Sequence, residues 1–492
     1  MGRDVPAITI TRQDRRAYRE KVRACLDVLE RMLLESRFDA GSRRIGLEIE
    51  FNLVDSLGYA AMTNAEVLAA IDDPAWTSEL GQFNVELDSD PATLAGDVFA
   101  ALESSIGATV RHASRRAEPA GSRLMMIGIL PSLRSRDIGA ETISSNPRYR
   151  LLNDEIVAAR GEEMRISIDG QERLLAYTDH ILPEAACTSV QCHLQVSPEV
   201  FAGYWNAAQA IAGIQVALAA NSPYLFGREL WRETRITLFE QATDTRSEEL
   251  KRQGVRPRVW FGERWISSVT DLFAENLRYF PALLPLCEDE DPVAMLDRGE
   301  TPSLAELELH NGTVYRWNRP VYAVADGKPH LRVENRVLPA GPTLADVLAN
   351  AAFYYGLVHE LAQMEPPVWS QMPFAAAAAN LGSGARHGLE AIVFWPGFGE
   401  IAVPELVLRH LLPLAARGLS RWGVAADDAN RLLSIIEQRC LRGQNGASWQ
   451  VASVHRLQDG GLADRDEALR LMTQDYIGRM NSQEPVHTWP IM

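Results

Sequence analysis

The chain has 492 residues, 46% of them apolar and 23% charged, as expected for a globular protein of one large domain or two to three ordinary ones. Lysine and arginine number 49 against 65 aspartates and glutamates, which gives a net charge of -16. So acidic a chain is a poor candidate for nonspecific nucleic-acid binding, although a local group of arginines and metal could still bind an anion such as ATP.

The cysteines and the first residues bear on the compartment. The chain has 5 cysteines, few for its length, and no CxxC spacing, which favours a reducing compartment over a disulfide framework. Residues 1–40 are charged and helix-like and have no apolar segment of signal-peptide type. No apolar run is long enough to span a bilayer. We therefore expect a cytoplasmic protein with neither a nucleic-acid nor a membrane partner.

Hydrophobic periodicity and turn residues predict the elements in chain order. The predicted helices are 12–35, 64–71 with Asn64 as its cap, 91–117, 204–221 and 343–364, and the chain is mostly helical from about residue 373. The predicted strands are 45–54, 83–87, 124–130, 188–196 and 330–337, with a hairpin over 164–175 around Asp169-Gly170. This mixture favours an α+β fold over a strictly parallel βαβ array. The predicted domains are an N-terminal helical segment (1–40), a catalytic core (41–370) and a mostly helical C-terminal part (371–492).

Four of these strands alternate polar with apolar residues, so that the polar side chains of each strand share one face. Taken strand by strand, these sets are Glu48 and Glu50; Gln82, Asn84, Glu86 and Asp88; Gln191, His193 and Gln195; and Arg332, Glu334 and Arg336. One such face alone would indicate a half-exposed antiparallel strand. Four of them, rich in Glu, Gln, His and Arg and almost free of Lys, indicate a site.

The paired glutamates indicate what the site binds. Glu48 and Glu50 would repel each other unless a cation bridged them or one of them were protonated. Mg²⁺ held by carboxylates and by substrate phosphates would remove that conflict, and arginine on a neighbouring strand suits phosphate. The strands therefore predict a sheet whose concave face is a metal–nucleotide site.

Other signals are weaker. Arg228, Arg232 and Arg235 could form the solvated face of one helix or serve a site. Arg316 and Arg319 lie beside aromatic residues and could stack an adenine, grip phosphates or stabilise a loop. The chain has no P-loop, GxSxG or HExxH motif and no convincing GxGxxG, and a Cys–His nucleophile pair is disfavoured because Cys192 and His193 face opposite ways.

Five segments in chain order resemble the glutamate–cysteine ligase family: GLEIEF, ELGQFNVEL, CTSVQCHLQV, ANSPYLFGR and HLRVENRVLPA. The resemblance covers about residues 43–357, with a looser likeness at 442–450. It implies a glutamine-synthetase-like fold, in which a curved, mainly antiparallel sheet forms a funnel-shaped active site with helices packed outside. It also implies ATP and two or three Mg²⁺ ions, phosphorylation of a γ-carboxylate, and attack of an amine on the acyl phosphate.

The family motifs carry roles onto individual residues of this chain. The implied metal ligands are Glu48, Glu50, Glu79, Glu86 and Glu334. Gln191 and His193 match the strand near substrate and nucleotide, and Arg336 matches a catalytic group that contacts phosphate. Arg235 is the expected partner of a substrate carboxylate or phosphate, and Arg316 is a further candidate for nucleotide binding.

The leading hypothesis is an ATP- and Mg²⁺-dependent ligase that joins glutamate, through its γ-carboxylate, to an amine. Cysteine is the default amine, as in the family's name activity, which would place the enzyme in glutathione biosynthesis. The strand SVQCHLQV and the Arg-rich stretch 315–336 depart from the family pattern, so another amine stays open.

Three other functions stay open at this stage. The same sheet could serve a phosphotransferase that forms no amide, or a nucleotide-binding protein without turnover. A two-carboxylate glycosidase would leave the arginine-bearing strand unexplained. A homo-oligomer also stays open, because the family contains both monomers and assemblies.

Overall fold

A computed structural model describes residues 10–39, 41 and 43–492 of the chain. Its helices are α1 (Arg12–Leu34), α2 (Asn64–Ile71), α3 (Val98–Ala117), α4 (Pro147–Arg160), α5 (Pro198–Ala219), α6 (Thr234–Ala242), α7 (Glu248–Arg252), α8 (Val269–Tyr279), α9 (Pro292–Asp297), α10 (Ala305–Asn311), α11 (Leu344–Ala362), α12 (Phe374–His387), α13 (Val403–Leu406), α14 (Leu412–Trp422), α15 (Ala426–Arg442), α16 (Gly446–Asp459) and α17 (Arg465–Ser482). Its strands are β1 (Arg44–Val54), β2 (Trp76–Ser78), β3 (Asn84–Asp88), β4 (Ala92–Thr93), β5 (Arg123–Met125), β6 (Met164–Asp169), β7 (Arg173–Thr178), β8 (Ser189–Val196), β9 (Tyr224–Leu225), β10 (Arg228–Glu229), β11 (Val259–Trp260), β12 (Tyr315–Arg316), β13 (Asn318–Ala325), β14 (Lys328–Pro339), β15 (Ile392–Trp395) and β16 (Gly399–Ala402).

One curled, antiparallel sheet organises the molecule. Its main path runs β13-β14-β8-β1-β3-β2, and the short strands β4 and β5 pair with the two ends of β1. Glu50 lies opposite Glu86, and Glu48 lies opposite Asp88 on one side and Gln191 on the other. Because pairing in register keeps alternate residues on one face, the polar sets of all four strands meet on the same side of the sheet. The predicted α+β fold with a curved antiparallel sheet is confirmed.

The other side of the sheet is apolar and covered by helices. Leu47, Ile49 and Phe51 of β1 are fully buried there, and α5 and α11 contact the strands. Both helices are apolar on almost every side, as expected of helices in the core of a large domain. The hydroxyl of Tyr355 on α11 donates to the carbonyls of Gly46 and His193, which ties the helix to the two strands that carry site residues.

The C-terminal helices share this core. Any side chain at Gly418 on α14 would overlap the carbonyl oxygen of Gly356 on α11, so the two helices can approach closely only with glycine there. The buried guanidinium of Arg439 on α15 lies 2.9 Å from the carboxylate of Asp346 on α11. The mostly helical character predicted from residue 373 is confirmed, whereas the division into three domains stays a prediction.

Four predicted elements differ from the structure. The helix expected over 204–221 already begins at Pro198 and ends at Ala219. The helix expected over 91–117 begins only at Val98, because residues 92–93 pair with β1 and Gly96 takes a left-handed conformation. The strand expected over 124–130 ends at Met125, and the carbonyl of Gly128 instead accepts from the amide of Thr188. Asn64 is the first residue of α2 rather than its cap, and its side chain donates to Ser144 Oγ. Helices α4 and α6–α10 and strand β13 were not predicted.

Candidate active site

Two cavities open on the polar face of the sheet. The first, which we call the carboxylate cavity, has a volume of about 190 Å³ and is lined by Glu50, Glu79, Glu86, Gln191, Arg235 and Arg336 among others. The second, the histidine cavity, has a volume of about 530 Å³, and its lining includes Glu48, Asp88, His193, Arg332 and Glu334. Arg319 on β13 lines both, so the cavities are neighbours along one face.

The carboxylate cavity is organised around Glu50. This carboxylate accepts hydrogen bonds from the backbone amide (2.7 Å) and the hydroxyl (2.9 Å) of Ser189 and from Gln191 Nε2 (3.2 Å). The same Gln191 nitrogen lies 3.3 Å from Glu86 Oε2, and Arg336 donates to Gln191 Oε1. The amide of Gln191 thus orients two carboxylates at one end and a guanidinium at the other.

Most acids in this cavity hold their protons unusually tightly. Burial, then the charges of Glu48 and Glu79, raises the pKa of Glu86 well above its usual range. Burial and the charge of Glu50 raise the pKa of Glu79 to about 7. Burial also raises the pKa of Glu50, although the hydrogen bonds from Ser189 oppose it. Buried like charges of this kind are costly unless protons or a cation neutralise them.

The histidine cavity has the opposite balance. His193 Nε2 lies 2.9 Å from Glu48 Oε1. Burial alone would raise the pKa of Glu48, but the charge of His193 outweighs it and lowers this pKa to about 2. Arg319 donates to both oxygens of Glu334, at 2.7 and 2.9 Å, and Arg336 donates to the same carboxylate. These two guanidiniums outweigh burial and hold the pKa of Glu334 well below its usual range.

Two groups of side chains on this face of the sheet fit a divalent cation. Ligand atoms of Glu48, His193 and Glu334 all lie within 4.8 Å of one another, as do those of Glu48, Glu86 and Asp88. His193 Nδ1 is buried and has no hydrogen-bond partner among the described residues. Carboxylate oxygens are the ligands that Mg²⁺ prefers. The raised pKa values of Glu50, Glu79 and Glu86 show that the carboxylate cavity lacks positive charge.

The structure brings together nine of the ten site residues predicted from the sequence: Glu48, Glu50, Glu79, Glu86, Gln191, His193, Arg235, Glu334 and Arg336. Arg235 is buried, and its Nε donates to Glu233 Oε1 at 3.1 Å. The alternative that it shares one solvated helix face with Arg228 and Arg232 is wrong, because α6 begins only at Thr234. The individual roles of the nine residues stay predictions.

Arg316, the tenth residue, lies elsewhere. Its guanidinium donates to Asn276 and to Glu275, each at 3.0 Å, and lies 4.8 Å from the ring centre of Trp260. It lines neither cavity, so its proposed contact with nucleotide stays a prediction to which the structure adds no support.

Four residues of the site were given no role from the sequence. Asp88 lies on the predicted polar face of its strand but was not named as a ligand, and Ser189 lies two positions from Gln191, so the same alternation could have identified it. Glu184 and Arg148 come from a 3₁₀ helix (Leu182–Ala186) and from α4, and both line the carboxylate cavity. No local pattern marks them, because only the tertiary fold brings these helices to the sheet.

Comparisons with solved structures show what the fold is similar to. A glutamate–cysteine ligase from Francisella tularensis, solved in complex with AMP, matches with a TM-score of 0.53 and 13% identity over 93% of this chain and 97% of that chain. A bifunctional glutathione synthetase from Pasteurella multocida gives 0.47 and 11% identity over 93% of this chain and 55% of that one. The ligase PafA, in complex with the prokaryotic ubiquitin-like protein Pup, gives 0.38 and 10% over 88% and 71%.

The sequence then assigns the family. Residues 44–467 match glutamate-cysteine ligase family 2 (GCS2), and the chain belongs to that family. It is therefore an enzyme of the carboxylate–amine ligase class, as the resemblance implied. A search of curated proteins finds no match. Among the described residues, helices fall short of the length and apolar character that crossing a membrane requires.

Proposed function

We propose that the protein is an ATP- and Mg²⁺-dependent ligase that joins a carboxylate, with the γ-carboxylate of glutamate as the first candidate, to an amine through an acyl phosphate. The observation that carries the proposal is the single sheet face on which Glu48, Glu50, Glu86, His193 and Glu334 meet. Family membership supplies the class of reaction, and the charge balance of the two cavities suits metal-bound phosphates.

The chain offers two sets of metal ligands. Glu48, His193 and Glu334 would hold one Mg²⁺, because the ligand atoms of these three residues already lie within 4.8 Å of one another. A second would be held by Glu86, whose ligand atom lies within 4.8 Å of those of Glu48 and Asp88, with Glu50 and Glu79 in the lining of the same carboxylate cavity as Glu86. Bound Mg²⁺ would neutralise the triphosphate and favour in-line transfer of its γ-phosphoryl group.

The arginines supply fixed positive charge where the cavities meet. Arg336 contacts both Glu334 and Gln191, and we assign it to the transferring phosphoryl group. Arg235, which lines the carboxylate cavity, suits the donor carboxylate. A donor oxygen takes the γ-phosphoryl group as ADP leaves; the amine nitrogen then bonds to the acyl carbon as phosphate leaves, and the amine proton passes to water.

The test is a substrate screen on the purified protein with ATP, Mg²⁺, glutamate and a panel of amines that includes cysteine. ADP release is measured together with mass detection of the amide. We expect one amide per ADP, loss of both in Glu86→Gln, and retention of both in Glu240→Gln, which makes the same change of side chain on α6 outside both cavity linings.

Three outcomes would contradict the proposal. No ADP or phosphate with any amine would exclude a ligase acting on glutamate. A stable phosphorylated donor without amide would indicate a phosphotransferase. Binding of ATP in a calorimeter without turnover would indicate a nucleotide-binding protein that has lost activity.

A further inference from the structure

Two acids of the carboxylate cavity, Glu184 and Glu308, have no place in the proposed metal sites, and Glu184 is the one of interest here. Glu184 lies in the 3₁₀ helix Leu182–Ala186, just before β8, and lines the cavity. Burial, followed by the charges of Glu79 and Glu50, raises its pKa to about 8. The carboxylate therefore lies in the same cavity as Glu50, Glu79 and Glu86.

The carboxylate of Glu184 lacks a partner within the protein. It makes neither a hydrogen bond nor an ion pair with any residue that the structure describes. Arg336 attracts it, but the guanidinium of Arg336 is already bonded to Glu334 and Gln191. Such an acid is costly in its ionised form, and a proton or a bound cation would remove the cost.

The other guanidiniums of the cavity are also engaged. Arg319 is bidentate on Glu334, and Arg235 donates to Glu233 and to the carbonyl of Val337. Arg148 interacts within the protein and lowers the pKa of the nearby Glu79. A second carboxylate beside Glu184 would therefore have to compete with these partners for any of the four arginines.

Aromatic rings complete this part of the cavity. Phe239 packs edge-to-face against Tyr315 (ring centres 5.4 Å apart) and Trp317 (5.7 Å), and all three residues line the cavity. Tyr315 and Glu184 line the same cavity, and burial, followed by the charge of Glu184, raises the pKa of Tyr315 to about 12. An acid next to aromatic rings suits an ammonium group on an apolar body.

We infer that the acceptor substrate is an amine that carries no carboxylate, bound as an ammonium ion at Glu184 with its apolar part against Phe239, Tyr315 and Trp317. The ammonium loses one proton to water, and the free amine then attacks the acyl phosphate. Glu184 is thus the residue that selects the acceptor. This inference rests on the proposed ligase function and narrows it, since it ranks simple amines above amino acids such as cysteine.

Pairs of acceptors that differ only in the carboxylate test the inference: cysteamine against cysteine, and phenethylamine against phenylalanine. The value of kcat/KM for each is taken from ADP release with glutamate, ATP and Mg²⁺. We expect the amine to exceed its amino acid by about tenfold or more in both pairs, as an unpaired charge would require. Glu184→Gln should reduce this ratio about tenfold, mainly through KM for the amine.

Two matched variants separate selectivity from general damage. Glu184→Asp keeps the charge and should keep the preference for the amine, and Glu240→Gln should leave the ratio unchanged. Preference for cysteine over cysteamine, or an unchanged ratio in Glu184→Gln, would overturn the inference alone. Absence of ADP release with every acceptor would overturn the proposed function and the inference with it.

Discussion

The two cavities share one sheet face but balance their charges in opposite ways. In the histidine cavity, His193 lowers the pKa of Glu48 to about 2. Glu50, which follows two residues later on the same strand, lies opposite Glu86. Burial and neighbouring acids raise the pKa of Glu86 well above its usual range. The comparison shows that alternation along β1 places both acids on one face, whereas the adjacent strands decide the charge that each carries.

This difference has a functional consequence. Glu48 and Glu334 of the histidine cavity are neutralised by the protein itself, through His193, Arg319 and Arg336. The acids of the carboxylate cavity need a ligand to supply that charge. Binding of a divalent cation there should release protons, because the metal favours the ionised form of each ligand.

The largest effect is expected from Glu334→Gln, which removes the common partner of Arg319 and Arg336. Because breaking a buried pair leaves charge uncompensated, the free energy of unfolding should fall by about 3–5 kcal/mol and turnover should be lost. Urea unfolding and ADP release measure the two effects. Asp346→Asn breaks the buried pair with Arg439 behind the sheet, and should lose stability while each folded molecule keeps its turnover. A Glu334→Gln protein as stable as the wild type would show that this pair does not neutralise the histidine cavity.

Next in size is the contrast between Glu86→Gln and Glu48→Gln. Both should lower Mg²⁺-dependent turnover by on the order of a hundredfold or more, since a bound metal contributes several kcal/mol to catalysis. Without metal, Glu86→Gln should leave stability unchanged or raised because it relieves repulsion, while Glu48→Gln should lower it because His193 loses its partner. Urea unfolding in EDTA distinguishes the two. Equal stability changes would contradict the difference between the cavities.

A smaller effect is expected in the pH dependence of stability without metal. Glu79 and Glu184 have pKa values raised to about 7 and about 8 from an ordinary value of 4.5. The folded state therefore binds these protons more tightly than the unfolded state, and the stability that they contribute below about pH 4.5 is lost as the pH rises through about 8. Urea unfolding in EDTA should show this decline, and Mg²⁺ should reverse it at the alkaline end. A flat profile would argue against raised pKa values in the carboxylate cavity.

The smallest effect on catalysis is expected from Arg316→Lys. Lysine cannot reproduce the paired contacts to Glu275 and Asn276, so the free energy of unfolding should fall by about 1–3 kcal/mol. The KM for ATP should not change, because the guanidinium lies outside both cavity linings. A higher KM for ATP at unchanged stability would place Arg316 in the nucleotide site after all.

How far the sequence predicts the site depends on which element carries each residue. Strands fix their faces with a period of two, so Glu50, Glu86, Gln191 and Glu334 could be assigned to one face before the fold was known. Arg316 has a similar setting beside aromatic residues, but its strand pairs with β11 outside the main sheet, and the side chain meets α8 instead. The sequence has no local signal for such a change of partner.

The charge states of the acids and the residues proposed to bind the acceptor could not be predicted from the sequence either. Nothing in the alternation of β1 distinguishes Glu48 from Glu50, because the difference comes from His193 and Ser189 on the next strand. Glu184 lies in a short helix without periodicity, and only the packing of that helix places it in the cavity. Long-range packing, rather than local propensity, determines these features.

The most direct test of the ligase mechanism follows the oxygen atoms of the donor. Glutamate labelled with ¹⁸O in its γ-carboxylate is incubated with ATP, Mg²⁺ and the best acceptor amine, and the released phosphate is analysed by mass. Transfer of the γ-phosphoryl group to the donor predicts one ¹⁸O atom in every phosphate released with the amide. Phosphate that carries no label while amide forms would contradict the acyl phosphate.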